Sequence, residues 1–342
     1  MGKKITAVII NYNTKHLLDS CLESLFNQTI AGDIKIIIID NDSSDDSCNY
    51  VQNKYPEITS ICNKTNIGYA PAGNQGINMA KTEYVMLLNP DIKFENDYME
   101  QCLQKMDEDK KIAAIGGKIM KYDFINDSYT NTIDTVGIFC YRNRRFIDDG
   151  QGLKDEGQFE NEHEVFGISG ACPIYRVSAL EDIKIMDEYL DEDFFMYKED
   201  VDISWRLRLR GWKCYYYPKA VAHHGRGTGV TMRYTHFEVA KNRGKLNKFQ
   251  KHYSFKNQRL MQIKNEFAQG LIHDFIHIFW KELLIRIYII FKEPYLIKSI
   301  FKMYGQIPSA LRKRRIIMKN RKVGWKEMKK WLSCKQSNYI KW

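Results

Sequence analysis

The chain has 342 residues, 44% of them hydrophobic, with 52 Lys and Arg against 42 Asp and Glu, a formal net charge of +10. Its length suits about two domains, or one large domain with an appendage. The apolar share and the seven prolines exclude a disordered or collagen-like chain. No apolar run reaches the roughly 18 residues of a spanning helix, and no small-residue cleavage site follows Met1-Gly-Lys-Lys, so neither an integral membrane protein nor a secretory leader is expected.

In chain order, Ile5–Ile10 is a short β-rich run. His16–Phe26 has apolar residues at 17, 18, 21, 22, 25 and 26, a helical spacing. Ile34–Ile39 is a second strand ending at Asp40, and Tyr84–Leu88 a third ending in Asn89-Pro90-Asp91. Strands alternating with helices imply an α/β fold with a mostly parallel sheet and right-handed crossovers. Ligands of such sheets sit beyond the carboxyl ends of the strands. The polar clusters Asn11–Asn13, Asp40–Asp45 and Asn89–Asp91 fall at those ends. Further on, Asp191–Asp202 mixes acids and aromatics ahead of a helix, Ile203–Arg210, that Gly211 stops. His223-His224 opens a segment containing Arg226 and three glycines.

Charge divides the chain. Residues 241–342 hold 25 Lys or Arg and five acids, a net of +20, which leaves residues 1–240 at −10. An acidic body, 1–240, with a basic helical tail, 241–342, suggests a polyanionic partner for the tail. Within the tail, apolar residues at 272, 275, 276, 279, 283, 287 and 290 form a helical stripe, fit either for packing on the body or for lying in a membrane interface. The eight cysteines show no C-x-x-C and read as reduced thiols of a cytoplasmic protein.

Each candidate has a plainer alternative. Asp91 suits a divalent cation because hard cations take carboxylate oxygens; Asn89-Pro90-Asp91 also suits a simple turn. Asp200, near a helix N-terminus, suits a general base; acidic residues there also serve as caps. The His223–Gly229 segment suits a metal ligand and a phosphate-closing loop, or a structural histidine. Asn66 to Gly76 is a glycine-rich helix entry that lets a ligand approach, or an ordinary loop; it matches neither the dinucleotide fingerprint nor a P-loop.

Taken together, Val8–Asn13, Ile39–Asp45, Asn66–Asn74, Leu87–Asp91, Gly167–Ala171, Phe194–Asp202 and Val221–His223 resemble family 2 inverting glycosyltransferases, most of all the bacterial rhamnosyltransferase-like branch. The likeness spans about residues 4–230. It implies a GT-A fold, with Asn11, Asn13, Asp40, Asn41, Asn66, Gly68, Asn74, Asn89, Asp91 and Arg226 around a nucleotide sugar. It implies Ser169, Gly170, Ala171, Glu199 and Trp205 in the acceptor and sugar pocket, Asp200 as catalytic base, and Asp91 and His223 as ligands of Mg²⁺ or Mn²⁺. The donor it implies is dTDP-rhamnose, or else a UDP-hexose or UDP-galactofuranose. The acceptor is a polyprenyl-diphosphate-linked saccharide at the anionic inner face of the cell membrane, in cell-surface polysaccharide synthesis. The oligomeric state stays open, a homodimer included. Nucleic acid binding by the tail is the competing class, with aromatics among its charges but no helix-turn-helix, RNP or zinc motif. A non-catalytic nucleotide-sugar binder is the third reading, against which an intact Asp91, Asp200 and His223 argue.

Overall fold

The computed structural model describes residues 2–225, 243–244 and 246–333. The body is built from β1 (Ile5–Asn11), α1 (Lys15–Phe26), β2 (Ile34–Asp40), α2 (Ser47–Lys54), β3 (Thr59–Cys62), α3 (Tyr69–Met79), β4 (Tyr84–Leu88), β5 (Ile92–Phe94), α4 (Tyr98–Glu108), β6 (Ile112–Asp123), β7 (Ser128–Thr135), β8 (Ile138–Tyr141), β9 (Phe146–Asp148), β10 (His163–Val165), β11 (Ile174–Arg176), α5 (Val177–Ile183), α6 (Glu199–Leu209) and β12 (Lys213–His224). The main sheet runs β3-β2-β1-β4-β11-β6-β12-β10, with β5 on β12 and β7 on β6. Its first four strands are parallel, with Ile5 opposite Ile34 and Asn11 opposite Asp40. The strand expectations hold there because β1 and β4 are buried along their whole length, as a sheet covered on both faces requires. Gly76 lets α3 lie on β1: a Cβ there would stand 2.2 Å from Val8 Cγ1.

The tail adds α7 (Lys248–Asn265), α8 (Ala268–His273), α9 (Phe275–Lys292), α10 (Ile297–Asn320), α11 (Trp325–Met328) and β13 (Leu332–Ser333), which joins β8 and β9 in a small second sheet. A capping box of Asn247 and Gln250 starts α7. Leu260, Met261, Met303, Ala310 and Ile317 pack with Trp205 and Leu209 into one cluster, so tail and body share a core. Residues Val201–Leu209 are buried in succession, which is why α6 shows no polar face in the sequence. Trp205, expected in the acceptor pocket, is 3% exposed and packs against Phe146 and Phe166.

Long cations join the two parts. Lys264 pairs with Asp191 and, at 2.9 Å, with Asp202; Lys313 pairs with Glu188, Asp191 and Asp193 at 2.8, 2.5 and 3.0 Å. In return Arg144 of the body pairs with Glu266 and, at 2.7 Å, with Asp274 of the tail. By contrast the apolar stripe of α9 faces outward: Phe275, Ile276, Phe279, Ile287 and Ile290 are exposed, and Ile289 alone in the helix is buried. Among the described residues no helix is long and apolar enough to cross a membrane. One cysteine expectation is corrected: Cys48 and Cys62 form a disulfide, their Cα atoms 6.0 Å apart, because β3 brings Cys62 beside the start of α2. Cys21, Cys102, Cys140, Cys172 and Cys214 are free and buried, and Cys334 lies outside the described residues.

Candidate active site

Two polar groups occupy the carboxyl ends of the parallel strands. The first joins β1 and β2. Asn11 donates to Asp40 Oδ2 at 2.7 Å and to Ser43 Oγ at 3.1 Å, and Asp40 Oδ1 accepts from the Ser43 amide at 2.9 Å. Asn13, at φ 54°, is exposed and accepts from the Ser44 amide at 2.7 Å. Asn41 shapes this wall without a group to spare. Its Nδ2 donates to Asn66 Oδ1 and Gly68 O, and its Oδ1 accepts from Ile67 N and Asn63 Nδ2, all within 3.0–3.2 Å. A side-chain amide offers two donors and two lone pairs. Asn41 therefore holds the Asn63–Gly68 loop, and Asn66 spends its Oδ1 on the same loop.

Asn74 is engaged likewise. It donates to Leu190 O and Glu192 Oε1, both at 2.9 Å, and accepts from the amides of Tyr189 and Leu190, locking α3 to the segment ahead of α6. Gly68 is needed for a close approach. At φ 94° its missing Cβ would stand 2.6 Å from the Phe195 carbonyl oxygen, which accepts from the Ala70 amide at 3.0 Å.

The second group encloses a cleft of about 480 Å³, lined among others by Asn89, Asp91, Ser169, Gly170, Ala171, Glu199, Asp200 and His224. Pro90 sits in the turn after β4, and the Asn89 amide donates to Ala171 O at 3.2 Å. Asp200 opens α6; its Oδ2 accepts from the Gly170 amide at 3.1 Å and its Oδ1 from the Val201 amide at 2.8 Å. Burial lifts the Asp200 carboxyl above its ordinary value even with Lys198 beside it. Burial and the neighbouring Asp200 push Glu199 up to about 8, and Glu199 Oε2 is buried without a hydrogen-bond partner. Carboxyls packed this closely share charge: near neutrality one keeps its proton.

The loop that carries them is strained, with Phe195, Tyr197 and Lys198 at φ 64°, 70° and 78°. It is tied down by Asn257 of α7, whose Nδ2 donates to the carbonyls of Phe194, Met196 and Tyr197 at 2.9, 2.7 and 2.8 Å. Sequence reading missed Asn257, since no local pattern marks a lone helical Asn whose partners lie 60 residues away.

His224, in place of the expected His223, faces the cleft. Neighbouring side chains of a strand point to opposite faces. His224 Nε2 lies 3.3 Å from Asp91 Oδ2, and its Nδ1 2.8 Å from Asp134 Oδ2. Burial pulls His224 down and these two carboxylates outweigh it, to about 9. His223 turns away, its Nε2 2.9 Å from Glu95 Oε1 and its ring edge-on to Tyr129. Asp91 Oδ1 is buried with no hydrogen-bond partner, an orphaned anionic oxygen that a divalent cation would satisfy. Asp91 supplies an oxygen donor as it stands, and His224 adds a nitrogen donor once the proton that the two carboxylates hold on it is displaced. Among the described residues no cluster of three or more His, Cys, Asp or Glu forms a self-contained metal cage. Arg226 lies outside the described residues.

A half-parallel sheet with polar strand ends over an acidic cleft is the GT-A nucleotide-diphospho-sugar transferase fold. The crystal structure of GalNAc-T7 with UDP, GalNAc and Mn²⁺ shares it, with a TM-score of 0.57 at 12% identity, covering 76% of this chain and 48% of that one. The Glycosyl transferase family 2 model matches residues 6–184, just over half of the chain, so the chain belongs to glycosyl transferase family 2. It is 27% identical over 224 residues to poly-beta-1,6-N-acetyl-D-glucosamine synthase of Staphylococcus aureus strain COL, covering 64% of this chain and 48% of the synthase. It is 28% identical over 148 residues to glycosyltransferase GlyA of Streptococcus pneumoniae serotype 4, covering 40% of this chain and 21% of GlyA. The chain thus spans about half or less of the length of these curated relatives.

Proposed function

We propose that this chain is a metal-dependent inverting glycosyltransferase. It would move a sugar from a nucleotide-diphospho-sugar to a hydroxyl of a polyprenyl-diphosphate-linked saccharide, at the inner face of the cell membrane. The observation that carries the reading is the single cleft lined by both Asp91 and Asp200 at the carboxyl ends of the strands. Asp40 and Asn11, at the ends of β2 and β1 beside β4, would support one wall of the nucleotide pocket. Asp91 and His224 would hold Mg²⁺ or Mn²⁺, which when bound supplies positive charge against the departing diphosphate. The body, 1–240, would carry the chemistry and the tail, 241–342, the membrane contact.

In the reaction, Asp200 accepts the proton of the acceptor hydroxyl while that oxygen bonds to the anomeric carbon. The bond from that carbon to the diphosphate oxygen breaks on the opposite side, and the nucleoside diphosphate leaves with the electron pair. One displacement inverts the anomeric centre and needs no covalent enzyme intermediate. Burial raises both Glu199 and Asp200, so the pair shares a proton near neutrality, and Asp200, which faces Gly170, is the member proposed as the base.

The motifs of the rhamnosyltransferase-like branch favour dTDP-rhamnose as donor. The name of the Staphylococcus aureus relative favours a nucleotide-linked N-acetylhexosamine as the second reading. The outward apolar stripe of α9 beside basic residues supports a position in the membrane interface. The test is nucleotide release from a panel of dTDP-, UDP- and GDP-sugars with Mn²⁺ or with EDTA. Release from dTDP-rhamnose alone fixes that donor. Release from UDP-sugars alone keeps the enzyme class and replaces the donor. No release and no nucleotide binding removes the catalytic reading.

A further inference from the structure

His224 is held from both sides of its ring. Its Nε2 lies 3.3 Å from Asp91 Oδ2, and its Nδ1 lies 2.8 Å from Asp134 Oδ2. Asp91 and His224 both line the cleft. Asp134 stands behind them on β7, outside the cleft lining and with its side chain fully buried.

The sheet brings Asp134 there through an irregularity. β6 lies between β7 and β12 and pairs with both, and His224 of β12 stands opposite Lys121 of β6. On the other edge of β6 the pairing skips one residue. Ile119 faces Thr135 and Met120 faces Ile133, so Asp134 is the extra residue of a β-bulge. A bulge takes its residue out of the regular alternation and re-aims the side chain, which is why bulges gather beside active sites. Ile133 and Thr135, the chain neighbours of Asp134, are 0% and 2% exposed. A carboxylate in such surroundings is costly to bury unless it is paired, and this one reaches across β6 to the imidazole.

An ionised carboxylate only accepts hydrogen bonds, so Nδ1 carries the hydrogen of this contact. A histidine that binds a metal uses one ring nitrogen, and the hydrogen bond of the other sets the tautomer and the orientation of the ring. Here Nδ1 is engaged by Asp134, and Nε2 is the nitrogen turned toward Asp91, whose Oδ1 is the orphaned oxygen of the cleft.

We propose that Asp134 is a positioning residue of the metal site: through Nδ1 it fixes the His224 ring so that Nε2 and Asp91 serve one divalent cation. This deepens the glycosyltransferase reading and rests on it. Asp134 acts through His224.

The experiment titrates the full chain with Mn²⁺ by calorimetry in the presence of UDP or dTDP, and records the electron spin echo of the bound Mn²⁺ for coupling to an imidazole nitrogen. The variants are Asp134→Ala, Asp134→Asn, His224→Ala and each double variant, with circular dichroism as the check on folding. Asp134→Ala should weaken Mn²⁺ by about 10–100-fold and reduce the nitrogen coupling. Asp134→Asn should weaken it less, because an amide oxygen still accepts from Nδ1. In the His224→Ala background neither Asp134 change should alter affinity by more than about twofold. Equal losses in both backgrounds would make Asp134 a merely structural residue and overturn the proposal. So would unchanged affinity and nitrogen coupling in both single Asp134 variants. If Asp134→Ala does not fold, Asp134→Asn decides by the same criteria. If the wild type binds Mn²⁺ with neither nucleotide, the metal-dependent glycosyltransferase reading falls and this proposal with it. If it binds Mn²⁺ without nitrogen coupling, that reading stands and this proposal alone falls.

Discussion

At the carboxyl ends of the sheet, short polar side chains spend their hydrogen bonds on one another and leave a few oxygens over. Asn41 and Asn74 are saturated, while Asp91 Oδ1 and Glu199 Oε2 are buried without partners. The tail behaves in the opposite way. Its long cations reach into the body and neutralise carboxylates there, so that Lys264 is fully buried and Lys313 is 3% exposed. The difference teaches that the tail's excess charge is not one property. Part of it is structural, the counter-charge of Asp191 and Asp202. Part lines a cavity beside the cleft. The apolar stripe of α9, by contrast, is left facing solvent.

The largest way to break this contrast is Lys264→Met, which keeps the volume but removes the counter-charge of Asp191 and Asp202. Losing one partner of a buried pair costs about 3–5 kcal/mol, to be read from urea denaturation. A loss below about 1 kcal/mol would mean that the tail charge is superficial. Next, His224→Ala should weaken Mn²⁺ binding in the presence of nucleotide by about tenfold or more, while His223→Ala leaves it unchanged, as calorimetry would show. The reverse would restore the ligand expected from the sequence. Asn257→Ala should lower turnover with little change in donor affinity, because it frees the strained loop before Asp200; its stability cost is about 1–3 kcal/mol. A change in donor KM alone would detach Asn257 from that loop.

A further effect is on the pH dependence of stability. Glu199 is raised in the folded state to about 8, above its unfolded value. Its ionisation is therefore harder in the fold, and stability falls as pH rises from the ordinary carboxylate range through about 8. Glu199→Gln should flatten that slope in thermal unfolding between pH 5 and 8, and an unchanged slope would remove the shared-charge account of Glu199 and Asp200.

Of the four parallel strands, β1, β2 and β4 were legible because short continuous apolar runs ending in polar clusters suit strands buried on both faces, while β3, Thr59–Cys62, is too short and polar to stand out. Asp91 and Asp200 were legible for the same reason, each sitting where an element begins or ends. The choice between His223 and His224 was not. It depends on a register irregularity in β12 between Tyr217 and Val221, which breaks the count of alternating faces. Trp205 misled because α6 is covered by the tail, a packing partner more than 50 residues away that no local period reveals. The Cys48–Cys62 bond depends on strand register, invisible in a spacing of 14. The hairpins of β6 to β9 carry weaker alternation and were not assigned from sequence.

The most direct test of the account compares wild type, Asp91→Ala and Asp200→Asn in one assay of Mn²⁺-dependent nucleotide release with acceptor present. The account predicts that Asp200→Asn still binds the nucleotide sugar but turns over about 10²–10⁴-fold more slowly, the range of a lost general base, while Asp91→Ala loses metal-dependent binding as well. Wild-type turnover in Asp200→Asn would contradict it and place the base elsewhere.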